Sequence, residues 1–278
     1  MMGMHIAIRP ATAARSASLP REHWHPVLAR LDGGIRALRS WSAAEAAAAS
    51  SGLDDGRCSG VALVEDVLVV LGELLALPQA AAAIHRAAAA CELVLDGFLV
   101  LADAYGTFES ALLALKQSAA DLRAGARRGD GAMVAAALHA HRRTEKQLRS
   151  LAAAMRHAQR CRTPSAAAAS RPTNETDGEV IDIVADAAAV TAAASEAIFS
   201  RCVAMSRDVP AMVQTVPSNK RWLARLAVAR AAKKAAPPPL KRLEELEECI
   251  GVMESGSEKV FRRLLQIRVS LLNIHNPM

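Results

Sequence analysis

Two pairs of histidines and one pair of aspartates have residue types and spacings that suggest metal or acid–base chemistry. His139 and His141 are two residues apart, as are His23 and His25. At this spacing helical side chains point in different directions, so neither pair can hold one metal ion. Asp54-Asp55 lacks the further oxygen ligands of a calcium loop. His141 also falls on an apolar stripe, which predicts a hydrogen-bonded core histidine rather than a ligand.

The motifs of common catalytic sites are missing from the sequence. There is no glycine-rich phosphate loop and no Gly-x-Ser-x-Gly elbow. The acidic residues between Glu244 and Glu248 are spaced like the solvated face of a helix. We therefore predict no catalytic, metal or cofactor-binding residues, and we expect a protein that is not an enzyme.

One short motif has a clearer mechanism. Arg15, Ser16, Ser18 and Pro20 fit the pattern Arg-Ser-x-Ser-x-Pro. Phosphorylated Ser18 would carry nearly two negative charges, which an arginine cluster of a 14-3-3 type adaptor can pair with. The alternative is a serine-rich arm in which Arg and Pro occur by chance.

Composition and charge narrow the class of protein. The chain has 278 residues, 52% of them hydrophobic but only 3% aromatic, and it is rich in alanine, the best helix former. Lys and Arg total 34 against 28 acidic residues, and the excess is concentrated in residues 121–162 and 201–234. These regions suit solvated helix faces, or surfaces that meet anionic lipid, RNA or an acidic protein. No nucleic-acid motif accompanies them, so specific nucleic-acid binding is not expected.

The cysteines and the apolar segments indicate the compartment. Five widely spaced cysteines without a Cys-x-x-Cys pair argue against a disulfide framework or a zinc site. The most apolar segments, Val61–Leu77 and Leu93–Ala102, are interrupted by acidic residues, so no transmembrane segment is predicted. We expect an intracellular protein, either cytoplasmic or nuclear.

Apolar periodicity predicts helices along most of the chain. Residues 1–20 are interpreted as a flexible arm, 21–160 as an N-terminal helical segment and 161–178 as a flexible linker. Residues 179–274 are predicted to be helices that pack onto the same bundle, with 275–278 as a tail. Within the first segment, a helix carrying Leu99 on its inner face is expected to stop near Gly106, and Thr107 to cap the next helix.

The last helix has the most regular pattern. Apolar residues recur at alternating spacings of four and three, with Ser257 as the one polar member. The seam is Leu246, Ile250, Met253, Val260, Leu264, Ile267, Leu271 and Ile274. Such a heptad seam can form a coiled coil with another chain, including a second copy, or pack within its own bundle. We favour packing within the bundle, because the other helices have apolar stripes that need partners.

Several segments resemble a plant family of unknown biochemical function, the BYPASS-like proteins. These segments are Arg15–Pro20, His25-Pro26, Leu38–Trp41, Leu77-Pro78, Asp96-Gly97 and, most specifically, Phe261–Ile274. The resemblance implies an all-helical protein linked to root and shoot development, and it supplies no catalytic residues.

Together these observations predict an elongated all-α bundle with a coiled-coil-like C-terminal helix. The expected function is that of a non-enzymatic regulatory or protein-interaction protein in plant development. The alternative is a peripheral membrane protein that binds anionic lipid through basic helix faces.

Overall fold

The structure, a computed structural model, describes residues 26–47, 59–161, 175–207, 209 and 239–276. All regular secondary structure in these residues is α-helical, so the predicted all-α bundle is confirmed. The helices are α1 (Pro26–Ala47), α2 (Ser59–Leu75), α3 (Pro78–Arg86), α4 (Ala88–Arg128), α5 (Gly131–Cys161), α6 (Glu175–Arg207) and α7 (Pro239–His275).

The long helices form a closed arrangement around a shared core. In spatial order, α1 contacts α2, α2 contacts α7, α7 contacts α4, α4 contacts α5, α5 contacts α6, and α6 returns to α1. Helix α6 also contacts α2, α3 and α4. Its alanines explain this central position, because Ala187, Ala188 and Ala194 are fully buried and let neighbouring helices approach on several sides.

Three aromatic residues pack together where α4 meets α6. Tyr105, Phe108 and Phe199 are fully buried, with ring centroids of Phe108 and Phe199 4.5 Å apart. The Ser195 hydroxyl donates to the Thr191 carbonyl at 2.7 Å, so its oxygen accepts the proton of the Tyr105 hydroxyl, 3.3 Å away. Burial strongly raises the pKa of Tyr105, which keeps the phenol neutral.

The predicted helix break at Gly106 is wrong, because α4 runs without interruption from Ala88 to Arg128. A glycine inside a helix costs about 1 kcal/mol relative to alanine. The buried residues on either side, Tyr105 and Phe108, outweigh that cost through packing. Thr107 is therefore not a cap, and its hydroxyl donates to the Asp103 carbonyl one turn earlier.

The turn between α4 and α5 follows local rules. Gly129 has a φ of 70°, the left-handed conformation that glycine adopts at helix ends. The Asp130 carboxylate then accepts hydrogen bonds from the backbone amides of Ala132 and Met133, both at 3.0 Å, and so caps α5. These two residues reverse the chain and place α5 antiparallel to α4.

Other boundaries differ from the sequence predictions by a few residues. Helix α3, which begins at Pro78, was not predicted, and α6 begins at Glu175, inside the predicted linker 161–178. Proline suits the first position of a helix, so Pro78 starts α3 while the preceding helix ends at Leu75. The predicted arm 1–20 and most of the linker lie outside the described residues.

Candidate interaction surface

The heptad seam of α7 forms part of the chain's own core. Its members are 0–4% exposed, apart from Ile274, which is half-buried. Ser257 is also buried, and its hydroxyl donates to the Glu254 carbonyl at 3.1 Å. Since α7 packs chiefly against α4 and α2, the seam is filled by helices of the same chain.

Ion pairs between α4 and α7 show the relative direction and register of the two helices. Residues later in α4 pair with residues earlier in α7, so the two helices are antiparallel. The pairs are Lys116 with Glu254 (2.6 Å), Arg123 with Glu247 (3.1 Å) and Arg127 with Glu244 (3.1 Å). At the other end of the contact, a Glu92 carboxylate oxygen lies 3.6 Å from His275 Nε2. Exposed ion pairs contribute little stability, but this series defines which residues of the two helices lie level with each other.

A second apolar stripe on α7 faces outward. Leu265, Val269 and Leu272 are 41%, 56% and 41% exposed, although they alternate with buried members of the seam. Glu254 contacts α4. Leu265 and Leu272 lie 11 and 18 residues after Glu254, which is about three and five helical turns, so they are on the same side of α7 as Glu254. This stripe therefore runs along the flank of α7 that borders α4.

Helix α4 adds one residue to this stripe. Leu99 was predicted to point inward, but 37% of it is exposed, so that prediction is wrong. Leu99 lies seven residues from both Glu92 and Gly106, which face His275 and Phe261 of α7. It therefore borders α7 as well. We call Leu99, Leu265, Val269 and Leu272 the α4–α7 patch.

His141 is a fully buried core histidine, as predicted. Its Nε2 atom lies 3.0 Å from the Ser206 carbonyl oxygen, which can only accept, so Nε2 carries the proton. Nδ1 lies 3.0 Å from the Ser118 hydroxyl, which donates to it when the ring is neutral. Burial lowers the pKa of His141, although the hydrogen bond to Ser206 and the nearby Glu145 act in the opposite direction.

The hydrogen bonds of His141 tie three helices together. It connects α5 to Ser118 of α4 and to the C-terminal turn of α6, where the last carbonyls lack helical partners. Within the described part of the chain, no group of three or more His, Cys, Asp or Glu side chains is placed to hold a metal ion.

The outer face of α5 is strongly basic. Arg142, Arg143 and Lys146 are exposed, and none of the three forms an ion pair with a residue in the described ranges. Arg149 and Arg156 on the same helix are instead paired with Glu145 and Glu196. Three cations of the predicted basic region 121–162 therefore form an exposed cationic face on α5.

A shallow groove lies between α2 and α7. Its volume is about 480 Å³, and small or apolar residues such as Ala62, Gly251 and Val252 line much of it. Lys259 and Glu65 face each other there, with Nζ and Oε2 3.8 Å apart. The groove is open and carries charges of both signs, so it offers little chemistry beyond surface contact.

Two described helices are long and apolar enough to cross a membrane by length and composition: α4, and residues 178–207 of α6. Half of the α4 window and 56% of the α6 window are buried inside the bundle. Core helices meet the same criterion, so this is weak evidence for a membrane span.

The adaptor motif Arg15, Ser16, Ser18 and Pro20 lies outside the described residues, so its binding role stays a prediction.

Comparison with known proteins identifies the family. The family model described as Protein BPS1 matches residues 60–274, well over half of the chain and nearly all of α2–α7. Neither the curated proteins nor the solved structures yielded a match. The resemblance to BYPASS-like proteins is thereby confirmed. The chain belongs to the Protein BPS1 family, a membership that fits a role as a regulator of plant development.

Proposed function

We propose that this protein is a non-enzymatic regulator of root and shoot development that acts by binding another protein through the α4–α7 patch. The proposal rests on the segment 261–274 of α7, whose apolar residues lie partly in the core and partly on the surface. Within 261–274, Leu264, Ile267 and Leu271 are buried, whereas the outward Leu265 and Val269 are not needed to complete the core. Apolar surface that folding leaves exposed on two adjoining helices is typical of an interaction site.

The proposal is tested by removing the patch without touching the core. In plants that lack the protein, the wild-type chain and a Val252→Ser control should restore root and shoot growth. The triple variant Leu265→Ser, Val269→Ser and Leu272→Ser should fail. Val252 is a suitable control because it is also on α7 and 49% exposed, but it lines the groove beside α2.

Circular dichroism of the purified variants must show the same helix content as the wild type, so that a failure reports on binding rather than folding. A triple variant that folds and restores growth as well as the wild type would refute the proposed function.

A second candidate function is peripheral binding to anionic lipid, which the basic outer face of α5 favours. Arg142, Arg143 and Lys146 lie within one turn or so of each other and could approach a membrane together. Vesicles containing phosphatidylserine should then carry the protein in flotation, with binding that weakens as salt rises. Replacing the three cations by glutamate should abolish flotation, and binding to neutral vesicles alone would contradict this candidate.

The N-terminal motif adds a way to regulate binding. A peptide of residues 10–25 phosphorylated at Ser18 should bind a 14-3-3 type adaptor in fluorescence anisotropy, whereas the unphosphorylated peptide should not. A phosphorylated peptide without affinity would remove the adaptor from the proposal.

A further inference from the structure

Cations from two helices gather around one buried carboxylate. Glu145 on α5 is 8% exposed, and its Oε1 atom pairs with the Arg149 side chain one turn later. The same oxygen lies 3.7 Å from Nε of Arg207, in the last turn of α6. Both arginine side chains stay at least half exposed, so they keep N–H donors for a ligand. The carboxylate thus holds two guanidinium groups where α5 meets α6.

Three more cations lie beside this arginine pair. Arg142, Lys146 and Arg149 follow each other at spacings of four and three residues, so they share one face of α5. The helix rises only about 10 Å between Arg142 and Arg149, and the exposed Arg143 lies next to them. Glu145 offsets one of the five positive charges, which leaves a net charge of +4. We call these five residues the α5–α6 cationic cluster: Arg142, Arg143, Lys146, Arg149 and Arg207.

The chemistry of this cluster favours phosphate. A guanidinium group binds two phosphate oxygens at once, and the ammonium group of Lys146 adds a point charge. A phosphomonoester carries nearly two negative charges near neutral pH and three acceptor oxygens. Two such groups held close together would balance the whole cluster, whereas a singly charged lipid neutralises only one of its cations.

The other side chains of α5 narrow the ligand further. No large apolar side chain is exposed on the described part of α5, so insertion into a lipid core does not contribute to binding. The helix also has no Phe, Tyr or Trp on which a nucleobase could stack. The ligand is therefore recognised by its negative charges.

We propose that the α5–α6 cationic cluster binds a compact anion that carries two or more phosphomonoester groups. The headgroup of a polyphosphoinositide and a free inositol polyphosphate both have this chemistry. Arg149 and Arg207, which Glu145 holds in place, contact one phosphate. Arg142 and Lys146 contact the other. This inference rests on the second candidate function, since it names the ligand of the same basic face, but its test separates the two.

Flotation with two kinds of vesicle distinguishes headgroup chemistry from general surface charge. Phosphatidylcholine vesicles contain either phosphatidylinositol bisphosphate or enough phosphatidylserine to give the same surface charge. The full-length chain should bind the bisphosphate vesicles at least about tenfold more tightly. Equal binding to both would overturn this inference and leave the second candidate function standing.

Calorimetry with inositol hexakisphosphate tests the free ligand. Binding to this compound and to the bisphosphate vesicles supports the shared chemistry. Binding to this compound without binding to either vesicle would assign the site to the soluble source and contradict the second candidate function. Absence of binding to both the compound and the bisphosphate vesicles would overturn the inference.

Matched variants locate the site on α5. Arg142→Gln combined with Lys146→Gln should weaken binding at least about tenfold, with folding checked by circular dichroism. The control, Arg36→Gln combined with Arg262→Gln, removes the same charge from exposed side chains of α1 and α7 and should leave binding unchanged. Equal weakening by the two double variants would overturn the assignment of the site.

Glu145→Gln separates held arginines from simple attraction between charges. The variant gains one positive charge, so a diffuse basic surface would bind the anion more tightly. Loss of the carboxylate that holds Arg149 and Arg207 should instead weaken binding, by about threefold or more. A folded Glu145→Gln chain that binds more tightly than the wild type would overturn the proposed arrangement. If this variant unfolds, the matched double variants still test the site.

Discussion

Leu264 and Leu265 are neighbours of the same residue type, and the structure assigns them opposite environments. Leu264 is 0% exposed in the seam between α7 and its neighbours, whereas Leu265 is 41% exposed. Leu264→Ala removes three carbons from the core, at about 0.8 kcal/mol each, and leaves a cavity that adds to this cost. We expect a loss of about 3–4 kcal/mol in the free energy of unfolding. Leu265→Ala should cost less than about 1 kcal/mol, because water already reaches much of that side chain.

Urea denaturation followed by circular dichroism at 222 nm measures both losses. The melting temperature of Leu264→Ala should also fall, by roughly 6–14 °C for a chain of this size. The measurements must be made at a protein concentration where wild type and variants have the same oligomeric state, so that dissociation does not add to the difference. If the two substitutions cost the same, or if Leu264→Ala costs less than about 1 kcal/mol, the assignment of the seam to the core is refuted.

Three further predictions concern the interior. The pKa of His141 is lowered in the folded state, so the neutral ring contributes its full stabilisation above the ordinary pKa of 6.5 and loses it as the pH falls towards the folded-state pKa. Urea midpoints measured at about pH 7.5 and pH 5.5 should therefore show a loss of stability at the lower pH. The His141→Gln variant should show a smaller loss. A Cβ on Gly60 would overlap the Trp41 ring, so Gly60→Ala should lower the free energy of unfolding by about 1–3 kcal/mol in the same denaturation assay. Gly72 has open space around it, so Gly72→Ala should raise the free energy of unfolding by up to about 1 kcal/mol. Cys91 is fully buried and burial raises the pKa of its thiol, so iodoacetamide should label it only as fast as the chain opens, as mass spectrometry can follow.

The regular patterns of the sequence were a good guide to the core. The α7 seam is buried at the predicted positions, apart from the half-buried Ile274. Helical periodicity depends on the backbone alone, so it can be read wherever one face is consistently apolar. His141 was also placed correctly in the core, since it continues such a stripe on α5.

The local signals at glycine and proline were less informative. Gly106 and Thr107 look like the end of one helix and the start of another, but they lie in the middle of α4. Packing of the adjacent aromatic residues stabilises the continuous helix, and those contacts are with residues far away in the sequence. For the same reason, the sequence did not show that Pro78 begins a separate short helix rather than only ending the previous one.

The sequence by itself determined that the chain is helical and which stripe of α7 is the most hydrophobic, because both follow from residue types at fixed spacings along one helix. It did not show which helices of the chain cover the seam that contains Leu264. That depends on which helix lies alongside, and the antiparallel pairing of α4 with α7 is set by contacts between residues more than 100 positions apart. Only the tertiary structure therefore brought Leu99 of α4 together with Leu265, Val269 and Leu272 of α7 on one surface.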